Sequence, residues 1–259
     1  MKPHEIKRLL GDTPYMRVEQ AQELTRFIGE HRIRDVLELG FAHGVSTCYI
    51  AAALEEAGGG SITTLDLERA RSLQPNIDEL LDKCGYRDMV RWYYEPSSYN
   101  WRLMKFLEED PTPRFDFCYL DGSHTWVVDG LAFFLADLLM RPGGWILFDD
   151  LKFSFSMMEK DVFGQDDWIH AMPHEERETP QVGRIWDLLV KTHPGYDEFR
   201  ETTGGWWGYA HKRNIPVSGS ADAMIKTTYV AAPSRTLSWH SLTSLLRQVL
   251  KTLPLSKEK

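Results

Sequence analysis

The chain has 259 residues, 42% of them hydrophobic and 26% charged, which is ordinary globular usage and suits one large α/β domain with decorations. Its formal net charge of -8 offers no broad positive field for a phosphate backbone, which argues against nucleic-acid substrates. The three cysteines Cys48, Cys84 and Cys118 form no CxxC pair, so neither a disulfide framework nor a zinc site is expected, and a reducing, cytoplasmic setting fits.

Residues 1–11 mix Lys, His, Glu and Arg with Leu, and neither a signal peptide nor a membrane span is predicted there. Ala21, Leu24, Phe27 and Ile28 give residues 18–30 helical spacing, and 35–39 reads as a short buried strand. A glycine-bearing turn at 40–44 leads into a helix over 46–56, which stops at Gly58, Gly59 and Gly60 before a strand at 61–65. The alternation continues with helices over 74–83, 99–108 and 127–140, strands at 89–94, 115–120 and 145–148, and a turn at 141–144. Residues 152–180 are polar and aromatic without clean periodicity and form a candidate lid beside the strand ends. Helical spacing resumes over 181–192, and strands at 196–201 and 206–212 read as a closing hairpin through Thr203-Gly204-Gly205.

Together these elements predict an α/β fold with a doubly wound, mostly parallel, seven-stranded sheet over residues 1–213, which binds ligands at the carboxyl ends of its strands. Residues 214–259 read as a linker and an amphipathic helix, with Trp239, Leu242, Leu245, Leu246, Val249, Leu250 and Leu253 at helical spacing. Its basic residues outnumber its acidic ones, which leaves a membrane-surface role open, but they are few for a surface anchor, so the expected role is packing on this chain or on a twin subunit in a homo-oligomer.

The chemistry starts at Glu38-Leu39-Gly40-Phe41-Ala42-His43-Gly44, which leaves a strand and enters a helix. Its glycines permit a tight turn and close approach to a ligand, while Glu38 would repel a pyrophosphate and welcome an ammonium group. This acidic-x-Gly-x-x-x-Gly form resembles the first motif of class I S-adenosylmethionine-dependent methyltransferases, and the resemblance covers about residues 15 to 212. It implies cofactor contacts from Glu38, Gly40, Phe41, Ala42, Gly44, Ser46, Asp66, Ser97 and Asp121. Asp66 would accept both ribose hydroxyls, Ser46 at a helix start would meet the methionine carboxylate, and Ser97 would lie near the adenine. Taken one by one, such residues also serve as turn glycines and helix caps.

Asp121-Gly122-Ser123-His124 and Asp149-Asp150 end two strands that are neighbours in this fold, so three carboxylates are expected to converge. Like charges so close call for a cation, and hard oxygen ligands select Mg²⁺, with Mn²⁺ or Ca²⁺ as variants. The pattern resembles metal-dependent small-molecule O-methyltransferases, and more closely the macrocin and mycinamicin sugar methyltransferases than the catechol type. The catechol type shows Asp-Asn where this chain has Asp149-Asp150, and a lysine where it has His124. The implied activity is methyl transfer to a hydroxyl of a small molecule, with Asp121, Asp149 and Asp150 on the metal and His124 as general base. Two alternatives stay open: a metal-independent O-, N- or C-methyltransferase, and an inert nucleoside-binding module. His124 as a cap for the helix near Trp126, and Asp149 and Asp150 as caps after the fifth strand, are the plain structural readings. His43, His170, His174 and His193 have no ligand spacing, and Trp168, Trp206 and Trp207 suit a pocket wall or a core equally.

Overall fold

A computed structural model describes residues 1–158 and 167–214 of the chain. The expected linker and C-terminal helix, apart from Asn214, lie outside the described residues, as do residues 159–166 of the candidate lid.

The strands are β1 (Asp35–Leu39), β2 (Ser61–Leu67), β3 (Val90–Glu95), β4 (Phe115–Leu120), β5 (Met140–Phe148), β6 (Tyr196–Thr202) and β7 (Trp207–Lys212). They form one seven-stranded sheet in the order β3-β2-β1-β4-β5-β7-β6. The ladders from β3 through β5 are parallel, while β7 runs antiparallel to both of its neighbours. The chain moves outward from β1 to β3 and then returns to place β4 on the other side of β1, so the strand order reverses between β1 and β4. Parallel crossovers leave a crevice there at the carboxyl ends of the strands.

Period-two alternation sorts each central strand onto two cores. Val36, Phe117, Tyr119, Trp145 and Leu147 face one apolar layer with α1 (Pro3–Leu10), α2 (Val18–Glu30), α3 (Val45–Glu56) and α4 (Ile77–Cys84). Leu37, Leu39, Cys118, Leu120, Ile146 and Phe148 face the other with α5 (Tyr99–Glu109), α6 (Trp126–Leu139) and α9 (Gln181–Ile185).

Local chemistry sets the element ends. Asn76 starts α4 through a reciprocal pair, accepting from the Glu79 N–H at 3.1 Å and donating its own N–H to Glu79 Oε2 at 3.0 Å. This places the helix start three residues later than the hydrophobic spacing indicated. Helix α1 was not anticipated, although Pro3 at its first position and buried Ile6 and Leu10 carry the signal. The candidate lid holds short helices, α7 (Asp167–Ala171) and α8 (His174–Glu178), and a 3₁₀ turn at Phe155–Met157. Helix α9 passes directly into a π-helical turn at Trp186–Val190.

Candidate active site

At the carboxyl end of β1 the backbone turns through Gly40, with φ +91, and a Cβ there would lie 1.9 Å from the Asp121 carbonyl oxygen. Only glycine lets β1 and the segment after β4 approach so closely. Ala42 and Gly44 also take positive φ, 46 and 92, and Gly44 packs against Ile77. The Asp66 carboxylate holds this loop: Oδ2 accepts from the N–H groups of Phe41 at 2.9 Å and Ala42 at 2.6 Å, and Oδ1 from Leu67 at 2.6 Å. Burial raises its pKa and those N–H groups pull it back down. Phe41 meets Tyr94 edge-on at 5.4 Å, and the Arg71 guanidinium lies 4.1 Å over the Tyr94 ring. Ser97 is exposed beyond β3, whereas its neighbour Ser98 caps α5.

Glu38 is wholly buried between β1 and α3. Its Oε1 accepts from Ser46 Oγ and its Oε2 from Thr47 Oγ1, both at 2.6 Å. Burial pushes its pKa up to about 7 against the pull of those hydroxyls. Ser46 therefore points inward to Glu38, and the residue at the N-cap of α3 is Gly44.

Beyond β4 and β5 the ladder continues one residue, with Asp121 N–H donating to Leu39 O at 2.9 Å and Asp149 N–H to Leu120 O at 3.0 Å. The sheet thus carries Gly40, Asp121 and Asp149 to one edge. His124 Nε2 sits 3.4 Å from Asp121 Oδ1 and 3.0 Å from Asp150 Oδ2, as charge contacts rather than aligned hydrogen bonds. Ligand atoms of Asp121, His124 and Asp150 all lie within 4.8 Å of one another, which suits a divalent cation with two hard oxygen donors. Both His124 and Asp150 have φ 59, a left-handed conformation that costs non-glycine residues about 1 to 3 kcal/mol and clusters at functional sites. Burial alone would lower the His124 pKa, but Asp121 and Asp150 outweigh it and push the imidazole up to about 10. Without another cation, an imidazolium neutralises the two carboxylates.

Asp149 is turned away from that group. Its Oδ2 accepts from Tyr119 Oη at 2.5 Å and its Oδ1 from the Asp150 N–H at 2.7 Å. Burial first, and then the charges of Asp121 and Asp150, hold its pKa well above the usual carboxylate range. The structure therefore brings His124, Asp121 and Asp150 together and sets Asp149 one step behind, linked through Tyr119, whose Oη is also 3.3 Å from Asp121 Oδ2. The N-cap of α6 is Thr125, not His124, and no helix starts at Asp149 or Asp150.

Several groups at this edge carried no sequence signal. Tyr15, half-exposed with φ 94, places its ring 5.8 Å from His43, and burial followed by the charges of Asp121 and Asp66 raises its hydroxyl pKa. Tyr119 is buried beneath the carboxylates, and Phe153 lies 4.9 Å from the His124 ring. Of the three tryptophans left open, Trp207 is core, Trp206 is partly buried against that core, and Trp168 is exposed beside Phe155.

Residues 37–151 match a family model described as a methyltransferase domain. No curated protein matches the sequence. Among solved structures, the chain is similar to an O-methyltransferase from Bacillus cereus in complex with S-adenosylhomocysteine, with TM-score 0.56, 18% identity, and coverage of 82% of this chain and 90% of that one. It is also similar to TomG, an O-methyltransferase of tomaymycin synthesis from Streptomyces achromogenes solved with S-adenosylmethionine, with TM-score 0.55, 20% identity, and coverage of 82% and 88%. A putative caffeoyl-CoA O-methyltransferase from Staphylococcus aureus gives TM-score 0.57, 14% identity, and coverage of 82% and 92%. The sequence match to a methyltransferase domain thus covers residues 37–151, and the fold of the described residues is that of these solved O-methyltransferases.

Proposed function

We propose that this chain transfers the methyl group of S-adenosylmethionine to a hydroxyl of a small molecule of sugar or natural-product type, assisted by a divalent cation such as Mg²⁺. One observation carries the reading: a glycine loop held by Asp66 and a carboxylate pair facing His124 meet at the reversal point between β1 and β4. Two of the similar structures were solved with the methyl donor or its demethylated product.

The loop from Gly40 to Gly44 would cradle the donor without Cβ interference, and Asp66 would exchange a loop N–H for the ribose hydroxyls. Asp121 and Asp150 would hold the cation, and Asp149 would complete the set on leaving Tyr119. The cation, when bound, supplies Lewis-acid help by lowering the pKa of the acceptor hydroxyl. With both carboxylates so engaged, His124 would lose the partners that keep it protonated and would be a neutral base. As the O–CH₃ bond forms and the S–CH₃ bond breaks, His124 Nε2 takes the hydroxyl proton. Alignment of the reacting atoms by the sheet edge supplies most of the acceleration. We also assign the chain to the cytoplasm, a reducing compartment in which its three buried cysteines stay thiols.

A metal-independent version is favoured by one feature: His124 as an imidazolium already neutralises Asp121 and Asp150. Radiolabelled methyl transfer from S-adenosylmethionine to a panel of hydroxylated small molecules separates the two. Loss of transfer in EDTA and its return with Mg²⁺ supports the cation, while full turnover after chelation supports the metal-independent version. His124→Ala should lower turnover about 10²- to 10⁴-fold with donor binding intact. A chain that binds donor and methylates nothing in the panel, with or without cation, would instead be an inert module.

A further inference from the structure

Asp129, in the first turn of α6, is a wholly buried carboxylate that the chemistry above does not use. Thr125 already fills the N-cap by accepting from the Val128 N–H, so the helix has no need of Asp129 as a cap. Its Oδ1 accepts from the hydroxyl of buried Tyr99 on α5 and from the Ser123 N–H at 3.3 Å. The same Ser123 N–H lies 3.0 Å from Tyr99 Oη. Among the described residues the other oxygen, Oδ2, has no aligned hydrogen-bond partner. Burial pushes the carboxyl up to about 7, against the N–H groups of Ser123 and His124.

A buried carboxyl with an unmet oxygen is costly in any fold, and an apolar residue would pack this position without that cost. What it touches explains it. The segment it grips is the one that carries Asp121 and His124, and His124 is held there in a left-handed conformation. Gly122 completes the fit, since a Cβ there would lie 2.4 Å from Tyr99 Oη, so only glycine lets the loop close on the phenol. A second tie, Asn100 Nδ2 to Val128 O at 2.9 Å, fixes α5 to the start of α6 behind the loop.

We propose that Asp129 and Tyr99 are positioning residues, which clamp the Gly122–His124 backbone and thereby aim the His124 imidazole at Asp121 and Asp150. Neither touches a reacting atom. The proposal rests on the reading of His124 as the base, but the clamp itself is measurable without turnover.

The test uses the full chain labelled with ¹³C-histidine, the His124 ring signal being the one absent in His124→Gln. In Tyr99→Phe and Asp129→Asn the His124 ring signal should move or broaden, and amide exchange at Ser123 and His124 should rise about tenfold or more. S-adenosylhomocysteine affinity, measured by calorimetry, should stay within about twofold, as for a site that does not share these contacts. An unchanged His124 signal with parental exchange in both variants overturns the proposal, and so does a uniform rise in exchange across the fold in both. If Asp129→Asn does not fold, Tyr99→Phe, which removes one hydroxyl, decides alone. Failure of the parent to bind S-adenosylhomocysteine would count against the methyl-donor reading and would leave the clamp to be judged on its ring signal and exchange.

Discussion

At Glu38 the carboxyl is sealed between β1 and α3, and burial raises its pKa from 4.5 to about 7. The folded protein then keeps a proton that the unfolded chain has already released between those values, so stability falls as pH rises through that window. A shift of this size corresponds to about 3 kcal/mol. Glu38→Gln should remove this slope: the difference in urea-unfolding free energy between variant and parent grows by about 3 kcal/mol from pH 4.5 to above 7. A constant difference across the window would place the carboxyl in water. Gly40→Ala is a second test at this scale. Its Cβ would meet the Asp121 carbonyl, so the variant should lose about 1 to 3 kcal/mol or more and should bind S-adenosylhomocysteine poorly. The spacing of Glu38, Gly40 and Gly44 made the turn legible, because glycine at a strand-to-helix junction has few other uses. It did not show where carboxylates point. Asp149 and Asp150 are adjacent in sequence, yet one is tied to Tyr119 and the other faces His124, because the left-handed backbone at Asp150 separates their directions.

Helix α6 shows how an element fixes a site. Thr125 caps it and ends the loop that bears His124, and Ser123 Oγ lies 2.9 Å from Thr125 Oγ1. Thr125→Ala should reduce stability by about 1 kcal/mol in thermal or urea unfolding. His124→Ala, which leaves the cap in place, should lose far less stability than turnover; a cap-sized loss with parental turnover would return His124 to a structural role. Most elements were readable because buried parallel strands and amphipathic helices repeat at different periods. The exceptions have local causes. Strand β5 starts at Met140, not Trp145, because β4 and β5 pair across a register shift between Phe115 and Phe117 that brings the glycine-containing turn into the ladder. The π turn after α9 and the short helices of the lid have no periodic signature at their length.

For the molecule as a whole, the alternation of strands and helices carried the doubly wound class, whereas the order β3-β2-β1-β4-β5-β7-β6 is a finding of the structure. The reversal between β1 and β4 brings residues far apart in sequence, Gly40, Asp66, Asp121 and Asp150, to one edge, and this was expected from the fold rather than from any single motif. Tyr15, Tyr99, Tyr119 and Asp129 were illegible, because contacts across the sheet leave no spacing in the chain. Calorimetric titration of S-adenosylhomocysteine into the parent protein and into Asp66→Ala tests the central claim most directly. The account predicts binding to the parent and a loss of about 1.5 to 3 kcal/mol in the variant, the worth of hydrogen bonds to a charged group. Equal affinity in the two proteins, or no binding to either, would contradict it.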